Sequence, residues 1–70
     1  MLLAIDVGNT NVVIALFHET ELVHEWRINS DPKRTADEYI SILLSLFRDA
    51  GLSLSAIDSS VMSTVVPQLL

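Results

Sequence analysis

The sequence predicts an α/β fold, a mixed β-sheet carrying a helix, in the order β-β-β-α-β with the beginning of a further helix after it. Three observations carry this. Two short apolar runs, Leu2 to Ile5 and Val12 to Phe17, flank the turn-forming stretch Asp6-Val7-Gly8-Asn9-Thr10-Asn11. A third run, Leu22 to Ile28, alternates between apolar and polar residues with period two, the pattern of a strand with one wet side. From Thr35 to Ala50, apolar residues then recur at three- and four-residue steps, which is the period of a helix with one buried stripe.

The first strand ends at an acid, Asp6, and the second is rich in β-branched residues. Gly and Asn tolerate φ > 0, so Gly8-Asn9 is the expected point of chain reversal. Both strands are apolar on both faces except at Asp6 and should be covered on both sides. His18-Glu19-Thr20-Glu21 is a polar turn. In the third strand Leu22, His24, Trp26 and Ile28 should share one face and Val23, Glu25 and Arg27 the other. Three consecutive antiparallel strands form a meander, with the Asp6 strand towards the middle of the sheet.

Asn29 to Arg34 reads as a loop, since Pro32 disfavours helix for the residue before it. Thr35-Ala36-Asp37-Glu38 is a capping box, in which the Thr hydroxyl and the Glu carboxylate each cap the other's backbone N–H. Ala36, Tyr39, Ile40, Leu43, Leu44, Leu46, Phe47 and Ala50 form the stripe that packs on the sheet, and Gly51 is placed to end the helix as its C′ residue. Ile57 to Ser63 reads as a fourth strand, parallel to the first because the helix makes the crossover. Pro67 then has the position of N1 in a following helix. There is no repeat, low-complexity tract or linker.

The turn is also the chemical centre of the sequence. Backbone N–H groups, the Thr10 hydroxyl and the Asn9 and Asn11 amides can converge on one point, and converging donors suit an anion such as a phosphate chain. Asp6 beside them repels bare phosphate and favours Mg²⁺ or its bound waters. The same residue types are ordinary in hairpin turns, with Asp6 bonding its own backbone, so spacing alone leaves both readings open.

Composition narrows the classes. Seventy residues, half of them hydrophobic, are much apolar surface for a chain that buries only roughly 60% of its unfolded area; with Leu69-Leu70 closing the sequence, the expectation is a portion of a longer protein. A net charge of −5, from four Lys and Arg against nine Asp and Glu, offers no basic surface for nucleic acid. The absence of Cys excludes disulfides, thiolate catalysis and Cys-based zinc sites. His18 and His24 are not at ligand spacing and read as solvated strand-end residues. No stretch approaches the ~20 apolar residues of a membrane span, and the amino terminus lacks the pattern of a signal peptide. The expected location is cytoplasmic.

Four segments in order, Asp6-Val7-Gly8-Asn9-Thr10-Asn11, Trp26-Arg27-Ile28, Arg34-Thr35-Ala36-Asp37-Glu38 and Ser63-Thr64-Val65-Val66-Pro67, resemble the amino-terminal portion of type III pantothenate kinases, a family that includes proteins described as Bvg accessory factor-like. The resemblance covers essentially the whole chain; at Thr64 the family as commonly has Ser, a change that keeps the hydroxyl. It implies an actin-like, sugar kinase-type (ribonuclease H-like) lobe, of which residues 1–70 supply the amino-terminal part with the first phosphate-binding motif. It implies transfer of the ATP γ-phosphoryl group to pantothenate, giving 4′-phosphopantothenate in the first step of coenzyme A biosynthesis. Asp6, Val7, Gly8, Asn9, Thr10, Asn11, Val12 and Val13 then form the nucleotide-binding motif, with Asp6 near the metal. The family implies ATP, Mg²⁺, a monovalent cation (K⁺ or NH₄⁺), a cytoplasmic homodimer, and no nucleic-acid or membrane partner. Its catalytic base is an Asp in a later Gly-x-Asp motif, beyond residue 70, so the chain alone is expected to be inactive. The alternative is a non-catalytic phosphate-binding or transcription-accessory module of the same superfamily.

Other residues receive structural roles. Asp37 and Glu38 are adjacent on a helix and point apart, and capping accounts for Glu38. Trp26 reads as core or interface. Arg34, which could reach a phosphate, sits in the loop just before the helix. Ser63 and Thr64, at the carboxyl end of a strand, where α/β folds gather ligands, are second-rank candidates.

Overall fold

The computed structural model describes residues 1–64, with the element order β1 (Leu2–Val7), β2 (Asn11–His18), β3 (Glu21–Asn29), α1 (Ala36–Asp49), a 3₁₀ turn (Leu54–Ala56) and β4 (Ser59–Thr64). The turn of helix expected at Pro67 lies outside the described residues. The sheet is mixed, in the order β3-β2-β1-β4. β1 pairs antiparallel with β2, β2 antiparallel with β3, and β1 parallel with β4. The Asp6 strand is therefore internal, as the meander and the crossover require.

Helix α1 forms where the sequence supplies both of its ends. Thr35 N donates to Glu38 Oε1 at 3.0 Å and Glu38 N donates to Thr35 Oγ1 at 3.2 Å, the two halves of the capping box. At the other end Gly51 takes φ +73, Leu52 N donates to the Phe47 carbonyl and Gly51 N to the Arg48 carbonyl. This is the Schellman closure that a glycine at C′ permits. Between its ends the helix lays Tyr39, Leu43, Leu46 and Phe47 on Leu3, Val12, Ile14 and Leu16; Leu16 is wholly buried and Phe47 is 2% exposed. Trp26 packs on Phe47 with ring centroids 5.7 Å apart, which makes it core.

Four expectations need correction. The stripe of α1 is wider than its contact with the sheet: Ala36, Ile40 and Leu44 are exposed, Ile40 by 53%. β4 starts at Ser59, two residues late, because Ile57 closes the 3₁₀ turn by donating to the Leu54 carbonyl. Leu22 leaves the face of His24 and Trp26. A bulge between Leu16 and Phe17 in the β2–β3 register pairs Leu16 with His24 but Phe17 with Leu22, and one extra residue reverses the alternation. His24 is half-buried and not a solvated strand-end residue; it stacks on Trp26 at 5.3 Å with the rings 2° from parallel, whereas His18 is exposed.

The two faces of the sheet differ. Helix α1 covers the face of Leu3, Ile5, Val12, Ile14 and Leu16. On the opposite face Ala4, Val13, Ala15 and Phe17 surround Asp6, Val61 and Ser63 in an open depression of about 320 Å³. Val61 there is 56% exposed; among the described residues no helix lies over it. The expectation that both faces are covered is met on one side within residues 1–64.

Candidate functional site

β1 carries Asp6 to the end of the sheet and turns its side chain to the face away from α1. In the parallel ladder Asp6 stands level with Ser63 of β4, and Ser63 Oγ donates to Asp6 Oδ1 at 2.8 Å. The carboxylate is exposed, and no Lys or Arg forms an ion pair with it among the described residues; the ion pair they contain joins the terminal amine of Met1 to Asp58 at 3.3 Å. Asp6 thus has no cationic partner among the described residues and presents an oxygen that Ser63 does not use.

Two residues further on the chain turns, by a different device from the one expected. None of Gly8, Asn9, Thr10 and Asn11 has φ > 0; among the described residues the positive φ values are at Glu19 and Gly51. What glycine allows at position 8 is a close approach. Gly8 N donates to the Asn11 carbonyl at 2.9 Å, and a Cβ at Gly8 would lie 3.2 Å from that same oxygen. The Gly8 N–H is therefore spent inside the turn, whereas the backbone N–H groups of Asn9 and Thr10 have no acceptor among the described residues. Asn11 Nδ2 donates to Thr10 Oγ1 at 3.1 Å, which leaves the Thr10 hydroxyl able to donate its own hydrogen. Asn9 and Thr10 are exposed.

A residue that sequence reasoning placed only in a loop fastens this turn. Ser30, after β3, donates its Oγ to the Gly8 carbonyl at 2.8 Å and its backbone N–H to the Thr10 carbonyl at 2.9 Å. Its own loop is held by Tyr39, whose hydroxyl donates to the Asp31 carbonyl at 3.2 Å, and by Asp31, whose Oδ1 accepts from Lys33 N at 2.9 Å. Both contacts of Ser30 reach back about twenty residues to the first turn, so no local pattern could have announced them.

The remaining candidates divide by face. Val7 and Val12 place their side chains against the α1 face, Val12 deep in the core, and Val13 pairs with Asp6 on the other face. Within the motif, then, Asp6, Asn9, Thr10 and Asn11 offer polar groups, and Val7, Val12 and Val13 fix the backbone that carries them. Arg34 is not beside Asp6. Its guanidinium donates to Asn29 O at 2.9 Å and Asn29 Oδ1 at 3.2 Å and sits 5.3 Å from the Tyr39 ring centre. It borders an apolar cleft of about 460 Å³ between α1 and the sheet, on the helix side. Glu38 is spent in the cap and Asp37 is exposed.

The donor set bears on a metal. No cluster of three or more His, Asp or Glu occurs among the described residues, so a fully protein-built cation cage is absent there. A lone exposed carboxylate instead suits Mg²⁺, which keeps several waters and is held by one or two carboxylates together with substrate phosphates. The residues present fit such an ion carried in by a nucleotide. No helix among the described residues is long and apolar enough to cross a membrane.

Comparison with known proteins follows the same line. The family model for type III pantothenate kinase matches residues 2–70. A type III pantothenate kinase of Pelobacter propionicus is 51% identical over 69 residues, which is 99% of this chain and 27% of the relative. One from Geobacter sulfurreducens is 49% identical over the same shares of the two chains, and one from Sphingopyxis alaskensis is 53% identical over 70 residues, 100% of this chain and 27% of the relative. The chain spans about a quarter of the length of these curated relatives.

Proposed function

The chain belongs to the type III pantothenate kinase family, and from that premise we propose that the full-length protein transfers the γ-phosphoryl group of ATP to the terminal hydroxyl of pantothenate, the opening step of coenzyme A biosynthesis. Residues 1–70 are the amino-terminal part of its first actin-like lobe, and the turn after Asp6 is where they meet the nucleotide. The observation that carries this reading is the pairing of an exposed Asp6 carboxylate, without an ion-pair partner among the described residues, with a turn three and four residues further along the chain whose Asn9 and Thr10 N–H groups have no acceptor among those residues.

Phosphoryl transfer breaks the bond between the γ-phosphorus and its bridging oxygen and forms one to the attacking hydroxyl oxygen. It asks a protein for positioning and charge stabilisation more than for covalent chemistry. Here Asn9 and Thr10 donate to phosphate oxygens from the backbone, the Thr10 hydroxyl adds a third donor, and Asp6 holds the metal or one of its waters. Mg²⁺, when bound, neutralises charge on the phosphate oxygens. The proton of the attacking hydroxyl goes to a base beyond residue 70, the Asp of the Gly-x-Asp motif, so the chain alone binds without turning over. A monovalent cation, K⁺ or NH₄⁺, a homodimeric assembly and a cytoplasmic location complete the reading.

The test is an assay of the full-length protein with ATP, Mg²⁺ and pantothenate, with and without K⁺, beside Asp6→Asn. Cation-dependent formation of phosphopantothenate, reduced on the order of a hundredfold or more in Asp6→Asn, is the expected result, since the loss of one pre-organised charge-stabilising group costs that much in other enzymes. A folded full-length protein without turnover would instead make this a non-catalytic phosphate-binding or accessory module.

A further inference from the structure

Ser63 stands outside the motif, 57 residues from Asp6 in sequence, yet its hydroxyl is the one protein donor to the Asp6 carboxylate among the described residues. The contact is set by the ladder itself: Asp6 and Ser63 are Cα partners in the parallel pairing of β1 and β4, so their side chains leave the sheet on the same face at the same level. At 2.8 Å to an ionised acceptor the bond belongs to the stronger class of hydrogen bonds.

The chemistry of the donor matters. A Lys or Arg at position 63 would orient the carboxylate equally well but would cancel its charge and compete with a cation. A hydroxyl fixes the rotamer, occupies Oδ1 from one side, and leaves the charge and the other oxygen for a ligand. A serine there also forgoes the apolar packing and β propensity that a Val or Ile would bring to this position on a strand.

We propose that Ser63 is a positioning residue for the nucleotide-bound divalent metal, acting through the Asp6 carboxylate; this rests on the reading of Asp6 as the carboxylate that receives that metal. Outer-shell partners of this kind set the orientation of a ligating group, and losing one costs on the order of tenfold or more in metal affinity.

The test is Mn²⁺ binding to the full-length protein in the presence of a non-hydrolysable ATP analogue, followed by electron paramagnetic resonance of the free ion, for wild type, Ser63→Val, Ser63→Thr and Asp6→Asn. Val and Thr have the same shape and the same preference for strands, and differ by the hydroxyl. Ser63→Val is expected to weaken Mn²⁺ on the order of tenfold, while Ser63→Thr stays within about twofold of wild type. In the kinase assay the Mg²⁺ concentration at half-maximal rate shifts by a similar factor in Ser63→Val, with the KM for pantothenate unchanged. Ser63→Ala carries the same expectation as Val with less bulk, should Val disturb the strand. Equal Mn²⁺ affinities for the Val and Thr variants, or an unchanged affinity in Ser63→Ala, would overturn the role of Ser63. If Asp6→Asn binds Mn²⁺ like wild type, it is the reading of Asp6 that fails; if Asp6→Asn loses the ion and the hydroxyl-free variants do not, the inference about Ser63 fails alone.

Discussion

Strand β2 has a turn at each end, and the two reverse what their residues suggest. The turn before it contains Gly8 and Asn9, the residues best suited to φ > 0, and uses none. The turn after it contains no glycine, and Glu19 takes φ +58, a conformation that costs a residue with a Cβ roughly 1–2 kcal/mol. Chain reversal at a two-residue hairpin does not by itself demand Gly, provided the flanking pairing supplies enough free energy. The ladder of β2 with β3, from Asn11–Asn29 to His18–Glu21, does so for the second turn. Glycine in the first turn answers a different need, the 3.2 Å approach to the Asn11 carbonyl, and Ser30 clamps that turn from outside. A turn built only to reverse the chain has no use for a distant clamp. One that must hold its N–H groups at fixed positions does.

Three substitutions in the full-length protein sharpen this contrast. Gly8→Ala should have the largest effect: the new Cβ meets backbone and not a yielding side chain, so about 1–3 kcal/mol of overpacking strain is expected, read as a lowered unfolding midpoint together with a raised KM for ATP. Ser30→Ala should come next, costing about 1 kcal/mol for the lost bond to the Gly8 carbonyl, with a larger proportional rise in the KM for ATP than in that for pantothenate. Glu19→Gly should be the smallest and of opposite sign. Relief of the left-handed strain, offset in part by glycine's greater loss of freedom on folding, leaves a gain of roughly 0.5 kcal/mol, seen as a slightly raised midpoint with ATP kinetics unchanged. If Glu19→Gly altered ATP binding, or Gly8→Ala did not, the division of labour between the turns would be wrong.

The legibility of the fold follows the range of the interactions. The helix could be read to its last residue because the Thr35–Glu38 cap and the Gly51 closure are made within a few residues. The strand order followed from apolar runs and one crossover. Leu22 was misplaced because a bulge is a property of two strands together. Ile40 and Leu44 were read as buried because helical periodicity describes a stripe and not the width of the surface it meets. At the candidate site, residue type and the resemblance to a family single out Asp6 and the polar turn among the many turns of similar composition; the geometry of Gly8 is not legible in this way, since its role lies in a contact and not in its own dihedral angle.

By itself, then, the sequence determined the order of strands and helix, both ends of the helix, which residue carries the carboxylate, and which turn follows it. Tertiary structure alone decided which groups reach that carboxylate and that turn. Ser30 and Ser63 arrive from 22 and 57 residues away, the first from the loop beyond β3 and the second through the parallel pairing of β4 with β1. Such contacts depend on strand register, and register belongs to a pair of strands taken together, as in the level pairing of Asp6 with Ser63, and not to any single short motif.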